Sequence, residues 1–336
     1  MRKLFKIWLA LIILILPFIT SVFYFDMLQN KVKVYKFNVM TSEIKNPVPP
    51  GVVNWFGTDR FGASIFMESW HGYRITFIFV IGIVLISFII AVILGSYLAF
   101  RKGTADIVTD GFLNAYYFLP QAIVTYMLLF PVLTAIKGKF SYDMPFRIGY
   151  MLVVIALVMV PTTMVVVRDQ VKQILNTEYM DAATVIGASK TQKLIRHVYP
   201  NIKNRLLIIF VRMLYQALMV LSHISFFRIF FGGTKTCDGF EACLGNDFTL
   251  IMPELTTLLG FHMTELYSSW WTFMVPCTFV VLILIAIQML ADALETESRI
   301  LIILPRLKTK SPSEMKFSVF FYTIILTMIW GDYFVE

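Results

Sequence analysis

The sequence predicts an all-α polytopic membrane protein with six core transmembrane helices. Of its 336 residues, 58% are hydrophobic and only 15% are charged, and the mean hydropathy is +0.75. Soluble domains carry about 25% charged residues, so this composition points to the bilayer. Apolar runs long enough to span it recur along the chain, with Lys and Arg gathered at their ends. The net charge of +8 therefore reads as orientation by the positive-inside rule and not as a nucleic-acid surface. Three cysteines exclude a cysteine-based metal framework. His71, His197, His223 and His262 lack metal-ligand spacing and read as hydrogen-bonding residues.

Arg2, Lys3 and Lys6 precede an apolar run from Ile7 to Phe25. Its length and flanks suit a signal peptide or a first span. The bulky Ser21-Val22-Phe23-Tyr24 lacks a small-residue cleavage site, so residues 1–25 are expected to be a retained helix with a cytoplasmic N-terminus. Residues 26–70 are polar, broken by Pro47, Pro49 and Pro50, and expected outside; Asp59 and Gly62 predict a tight turn there. The main membrane core is expected over 71–296. Its second span, Thr76–Phe100, ends at Arg101 and Lys102. A third runs from Ile107 to about Ala135 and is interrupted by Pro120 and Pro131, each expected to kink a membrane helix. Asn114 and Gln121 lie near Pro120 at membrane depth and either line a water-filled route or hydrogen-bond between helices. Arg147–Val167 and Leu206–Phe231 are the fourth and fifth spans. In the fifth, Gln216 and His223 share a face, again as route-lining groups or a buried pair. The stretch 232–269 holds Asp238, Glu241, Asp247, Glu254 and Glu265 against Lys235, the charge contrast of an outer loop, and Leu255–Phe261 suits a short interfacial or re-entrant helix. Trp270 and Trp271 open the sixth span, which ends near Asp292. Cys237 and Cys243, on the oxidising side, are expected to form a disulfide, with Cys277 a free thiol.

The longest polar interval that still reads as helical is Glu178–Asn201, within the loop 176–203. Asn176 and Thr177 are placed to cap a first helix, with Glu178 in its opening turn, where the helix dipole favours an acid. Gly187 suits a left-handed stop. Ser189-Lys190-Thr191-Gln192 has capping-box spacing, so a second short helix starts at once. Lys190, Lys193 and Arg196 fall three apart and predict one basic ridge, and Pro200 suits the first turn of the next apolar helix. The flanking Arg168, Lys172, Lys203 and Arg205 place the loop in the cytoplasm.

The string Glu178-Tyr-x-x-Ala182-Ala183-x-x-x-Gly187-Ala188-Ser189, followed by Arg196-His197-x-x-Pro200-Asn201, resembles the EAA loop of permease subunits in ABC-type importers. It is most similar to the dipeptide/oligopeptide/nickel branch. Asp181 replaces the usual Glu and Tyr199 the usual Leu. Gly57-Thr58-Asp59 with Gly72-Tyr73-Arg74 is similar to a second segment of that branch, with Ala63-Ser64 where Arg-Asp is usual. Asp292-Ala293-Leu294 is similar to its core ending. The resemblance implies that Glu178, Asp181, Ala182, Ala183, Gly187, Ala188, Ser189, Arg196, His197 and Pro200 form a coupling element gripped by a cytoplasmic ATPase.

It further implies a second, similar permease subunit, two ATPase subunits that bring ATP and Mg, and an extracytoplasmic binding protein docking on 26–70 and 232–269. The cargo is expected to be a short peptide, with nickel or a metal chelate as the alternative, and a transport-inactive regulatory subunit as the alternative role. The chain itself has no Gly-x4-Gly-Lys-Ser/Thr loop and is expected to be no enzyme and to hold no cofactor directly. The tail 297–336 extends past the resemblance. Phe317–Trp330 within it covers only about 21 Å of helix against a roughly 30 Å core, so an interfacial or peripheral helix is expected over 316–334.

Overall fold

Nine helices carry the described chain: α1 (Arg2–Leu28), α2 (Ile65–Ala99), α3 (Gln121–Leu133), α4 (Met144–Leu175), α5 (Glu178–Val185), α6 (Lys190–Gln192), α7 (Tyr199–Phe226), α8 (Leu255–His262) and α9 (Trp270–Lys308). The computed structural model describes residues 2–28, 47–51, 55–60, 62–101, 111, 113, 115–116, 118–135, 139–235 and 252–308. Asn114, the Cys237–Cys243 bridge, the tail helix over 316–334 and most of the outer loops lie outside the described residues. Met1–Ala291 forms one compact unit and Asp292–Glu336 a second.

Among the described residues, five stretches are long and apolar enough to cross a membrane: Phe5–Phe23, Ile65–Ala99, Met144–Leu175, Lys190–Phe226 and Trp270–Thr296. The remaining expected span departs from the prediction. The chain turns over Phe118 and Leu119, and α3 restarts at Gln121 with Pro120 as its extended N-cap residue (ψ 112°). Proline disfavours helix in the residue before it, so Pro120 breaks the helix there instead of kinking it. The 13 residues of α3 reach only about 20 Å. Pro131 does sit inside a helix, as expected, and so does Pro161.

Helices α2 and α4 make the most extensive contact in the fold. Hydrocarbon gives no hydrophobic drive for helices to associate, so close backbone approach through small residues does that work. Ser87, Ala91 and Gly95 are buried on this face of α2. A Cβ on Gly95 would stand 2.7 Å from the carbonyl oxygen of Met164. Helix α1 is fixed to α2 by polar contacts in the same setting. The Tyr73 hydroxyl donates to the carbonyl of Leu14 at 2.9 Å, and Ser21 Oγ to that of Trp70 at 2.9 Å.

Every residue of α8 is buried, so it is packed inside the protein and is not a surface helix. Its N-cap is Glu254, 1% exposed, although the charge pattern assigns that residue to a solvated outer loop. One Glu254 carboxylate oxygen accepts from Thr76 Oγ1 at 2.6 Å. The other accepts from Thr256 Oγ1, Thr257 N and Thr257 Oγ1 at 2.7–3.0 Å. A buried carboxylate is tolerated when hydrogen bonds replace its hydration, and here they also satisfy the open end of a helix. The other end of α8 packs Gly260 directly on the backbone of Ser225. A short parallel pair, β1 (Thr134–Ala135) with β2 (Thr234–Lys235), ties the end of α3 to the segment after α7.

Gly260→Ala would drive a methyl group into the Ser225 carbonyl, and overpacking of this kind costs about 1–3 kcal/mol. Its thermal unfolding temperature in detergent should fall clearly below wild type. Gly149→Ala, where a Cβ meets nothing within 4 Å, should unfold at or slightly above the wild-type temperature.

Candidate functional site

The loop between α4 and α7 is a built knob. Helix α4 ends at Leu175 with Asn176 as its C-cap residue, and Thr177 takes the extended N-cap conformation of α5. Neither side chain caps α5 as expected. Thr177 Oγ1 instead turns back to donate to the Ile174 carbonyl at 2.6 Å, closing the end of α4. Glu178 and Asp181 lie in the first turn of α5, as predicted. Gly187 has φ +89°, and the two bonds that stop α5 are Gly187 N–H to Thr184 O at 3.0 Å and Ala188 N–H to Ala183 O at 3.0 Å. These are the paired bonds of a Schellman motif, whose left-handed residue is nearly always glycine. The predicted capping box follows: Gln192 N–H reaches Ser189 Oγ at 3.3 Å, and Ser189 N–H reaches Gln192 Oε1 at 2.9 Å.

Beyond Gln192 the expectation of two separate helices is corrected. The backbone stays helical from Lys190 to Phe226, passing through a wider π turn over Lys193–Val198, with Tyr199 N–H bonded to Leu194 O. Pro200 has no N–H and its ring crowds the carbonyl four residues back. The widened turn absorbs that conflict where a break was expected. The basic ridge also divides. Lys193 Nζ turns in to Thr184 Oγ1 at 2.7 Å, whereas Lys190 lines a groove beside Tyr97. Asn201 ties the two limbs, donating to Tyr179 OH at 3.1 Å and to the His197 carbonyl at 2.8 Å. The Tyr179 and His197 rings stand 6.4 Å apart.

Met180 holds the knob to the membrane helices. It is 1% exposed and packs in one buried cluster with Ala99 of α2, Val167 and Val171 of α4, Val198 of the π turn and Ile202 of α7. Sequence reasoning missed it, because a lone methionine between Tyr179 and Asp181 gives no periodic signal in an eight-residue helix. The opposite side is open. Val185 and Ile186 are 89% and 86% exposed, and Asp181, Ala182, Ser189, Arg196 and Pro200 are exposed with them, while Ala183, Ala188 and His197 are half-buried. Apolar residues at a polar tip form a surface suited to another protein.

Of the polar groups at membrane depth, Gln121 and Gln216 meet. Gln216 Nε2 donates to Gln121 Oε1 at 2.7 Å, and Gln121 Nε2 to Thr162 Oγ1 at 3.2 Å, joining α7, α3 and α4. His223 is exposed further along α7 and lies outside this set.

The predicted outer turn is present. Gly57 and Gly62 have φ +77° and +80°. Gly62 N–H bonds to Asp59 O at 3.1 Å, and the buried Asp59 carboxylate accepts from Ala63 N–H at 2.7 Å. Trp271 Nε1 donates to Thr58 O at 3.2 Å. Next to it, Arg60 Nε lies 3.3 Å from Glu265, which also takes His262 Nδ1 at 3.1 Å. Burial pushes the Glu265 carboxyl up, but the hydrogen bond and charge of His262, with the charge of Arg60, hold it below its ordinary range.

The sequence profile of the binding-protein-dependent transport system inner membrane component family matches residues 91–300, which include the whole knob. The chain belongs to this family. It is similar to the dipeptide transport system permease protein DppC of Bacillus subtilis (strain 168), 27% identical over 76% of this chain and 72% of that protein. It is also similar to the oligopeptide transport system permease protein OppC of the same organism, 26% identical over 68% of this chain and 74% of that protein. A further relative is the inner membrane ABC transporter permease protein YejE of Escherichia coli (strain K12), 26% identical over 46% of this chain and 42% of that protein. As a permease of this family, the protein is a multi-pass membrane component of a transport system.

Met180→Ala would leave a cavity under the knob, a change that costs about 2–5 kcal/mol in a packed core. Hydrogen exchange should quicken over residues 178–198 while the α2–α4 contact stays protected; unchanged exchange in the knob would show that Met180 is not its anchor. The lowered Glu265 carboxyl makes the outer contact pH-dependent. Its contribution is complete above about pH 4.5, the unfolded value, and is lost as pH falls through the lower folded value. Acid titration of thermal stability should show that loss in wild type and a smaller one in Glu265→Gln.

Proposed function

We propose that this permease is one half of the transmembrane path of an ATP-driven importer of short peptides, and that the 178–201 knob couples it to a cytoplasmic ATPase. The knob carries the proposal. Met180 seats one side of it in the membrane helices, while its far side offers Val185, Ile186 and a polar ring uncovered in this chain. Such a part transmits displacement when a partner grips its tip. The names of the B. subtilis relatives support peptides as cargo.

On this proposal the knob and the N-terminus face the cytoplasm. Two ATPase subunits hold ATP and Mg, and a second, similar permease completes the path. An extracytoplasmic binding protein delivers cargo to the side carrying 26–70 and 232–269. Gln121, Gln216 and His223, with Asn114, are the groups proposed to meet the cargo. The Gln216–Gln121–Thr162 contact would then act as a polar seal that opens when the helices part.

Gly187 gives the test. It has φ +89°, and a Cβ there meets nothing within 4 Å. A side chain at Gly187 therefore strains the turn by roughly 1 kcal/mol or more without clashing inside this chain. Gly187→Trp should insert and fold normally, yet lose ATPase association or substrate-stimulated hydrolysis at least tenfold in the reconstituted transporter. Asp181→Ala removes one exposed carboxylate and should be milder. Normal transport by an assembled Gly187→Trp complex would refute the coupling role. Wild-type assembly and hydrolysis without peptide uptake would instead favour a regulatory subunit.

A further inference from the structure

We propose that the groove between the end of α2 and the start of the Lys190–Phe226 helix binds an anionic phospholipid. The groove has a volume of about 440 Å³ and is lined by Ile93, Tyr97, Arg101, Lys190, Leu194 and Tyr199 among others. Its two chemical halves are ordered along the membrane normal. Toward the bilayer it continues into an exposed stripe of α2, Ile86, Ile89, Ile93 and Tyr97, the last two 61% and 60% exposed. Spacings of three and four residues put these side chains in one line, a track for an acyl chain. Toward the loop the rim carries Arg101 and Lys190.

Several basic residues nearby are already engaged. Arg168 pairs with Asp169 at 3.1 Å, Arg205 donates to Gln170 and Gln173, and Lys193 to Thr184. Among the described residues, neither Arg101 nor Lys190 has a carboxylate partner. The Arg101 guanidinium lies 5.2 Å from the centre of the Tyr97 ring, with Nη2 3.3 Å from the Tyr97 hydroxyl. That contact holds it at the groove mouth. Ser96 Oγ and Tyr199 OH, 3.2 Å apart, join the two walls. These two cations at the end of an apolar track, beside Tyr97 and Tyr199, complement a phosphodiester headgroup whose chain runs back into the bilayer. A second protein packed on the stripe would leave those charges unanswered, which favours a lipid. Since Lys190 follows Ser189, the N-cap of the knob's second helix, a bound headgroup would bridge the knob to α2.

The whole transporter, reconstituted in nanodiscs of mixed phosphatidylglycerol and phosphatidylcholine, provides the test by native mass spectrometry of retained lipid. Lipid retention is read without transport or hydrolysis, so the result stands apart from the coupling role. Wild type should keep phosphatidylglycerol preferentially. Arg101→Gln with Lys190→Gln should lower that preference roughly 30-fold, two surface charges' worth. Lys203→Gln, an exposed charge outside the groove, should leave it close to wild type. In an otherwise wild-type chain, Ile93→benzoylphenylalanine should photo-crosslink to phospholipid. The proposal is overturned if the double variant keeps its preference, if inorganic phosphate displaces the lipid as a free-anion site would allow, or if the Ile93 crosslink captures a second permease.

Discussion

A bilayer core offers no water to a backbone amide, so every interruption of a helix within it must be answered from inside the protein. Much of this fold follows from that constraint. Where α8 begins in buried surroundings, Glu254 supplies the acceptor for an open N–H and is itself answered by Thr76, Thr256 and Thr257. At Pro200, in the exposed knob outside that core, the proline ring is instead accommodated by widening one turn, with no break. At Pro120 the helix does break, and the polar side chains of Gln121, Gln216 and Thr162 gather just beyond. The irregular places are therefore where polar side chains collect.

What was legible in the sequence was local. Gly187 and the Ser189–Gln192 box each depend on a few neighbouring residues whose geometry is nearly forced, and both stand where the pattern put them. The outer turn at Asp59 and Gly62 was legible for the same reason. What stayed hidden depends on partners far along the chain. Glu254 reads as a solvated acid until Thr76, 178 positions away, is beside it. Met180 has no periodic company, and its burial comes from α2, α4 and α7 together. The three-apart basic residues promised a ridge, but Thr184 drew Lys193 away from it, a tertiary choice that spacing cannot express.

Charge is also distributed unevenly between the two ends of the first compact unit. Near the turn at Asp59 and Gly62, Asp59, Arg60, His262 and Glu265 are knitted into short contacts. Around the knob, Glu178, Asp181, Lys190 and Arg196 stand exposed.

The unbroken helix from Lys190 to Phe226 gives the molecule a lever. From Ser189 to Gln216 it measures about 40 Å, so a tilt of about 5° pivoting at the knob would carry Gln216 sideways by about 3.5 Å. That exceeds what a 2.7 Å amide contact can follow. On the proposed coupling role, a small angular input at the knob would part that contact. On that role the stiffness of the π turn, Lys193–Val198, would set how much of the input reaches Gln216.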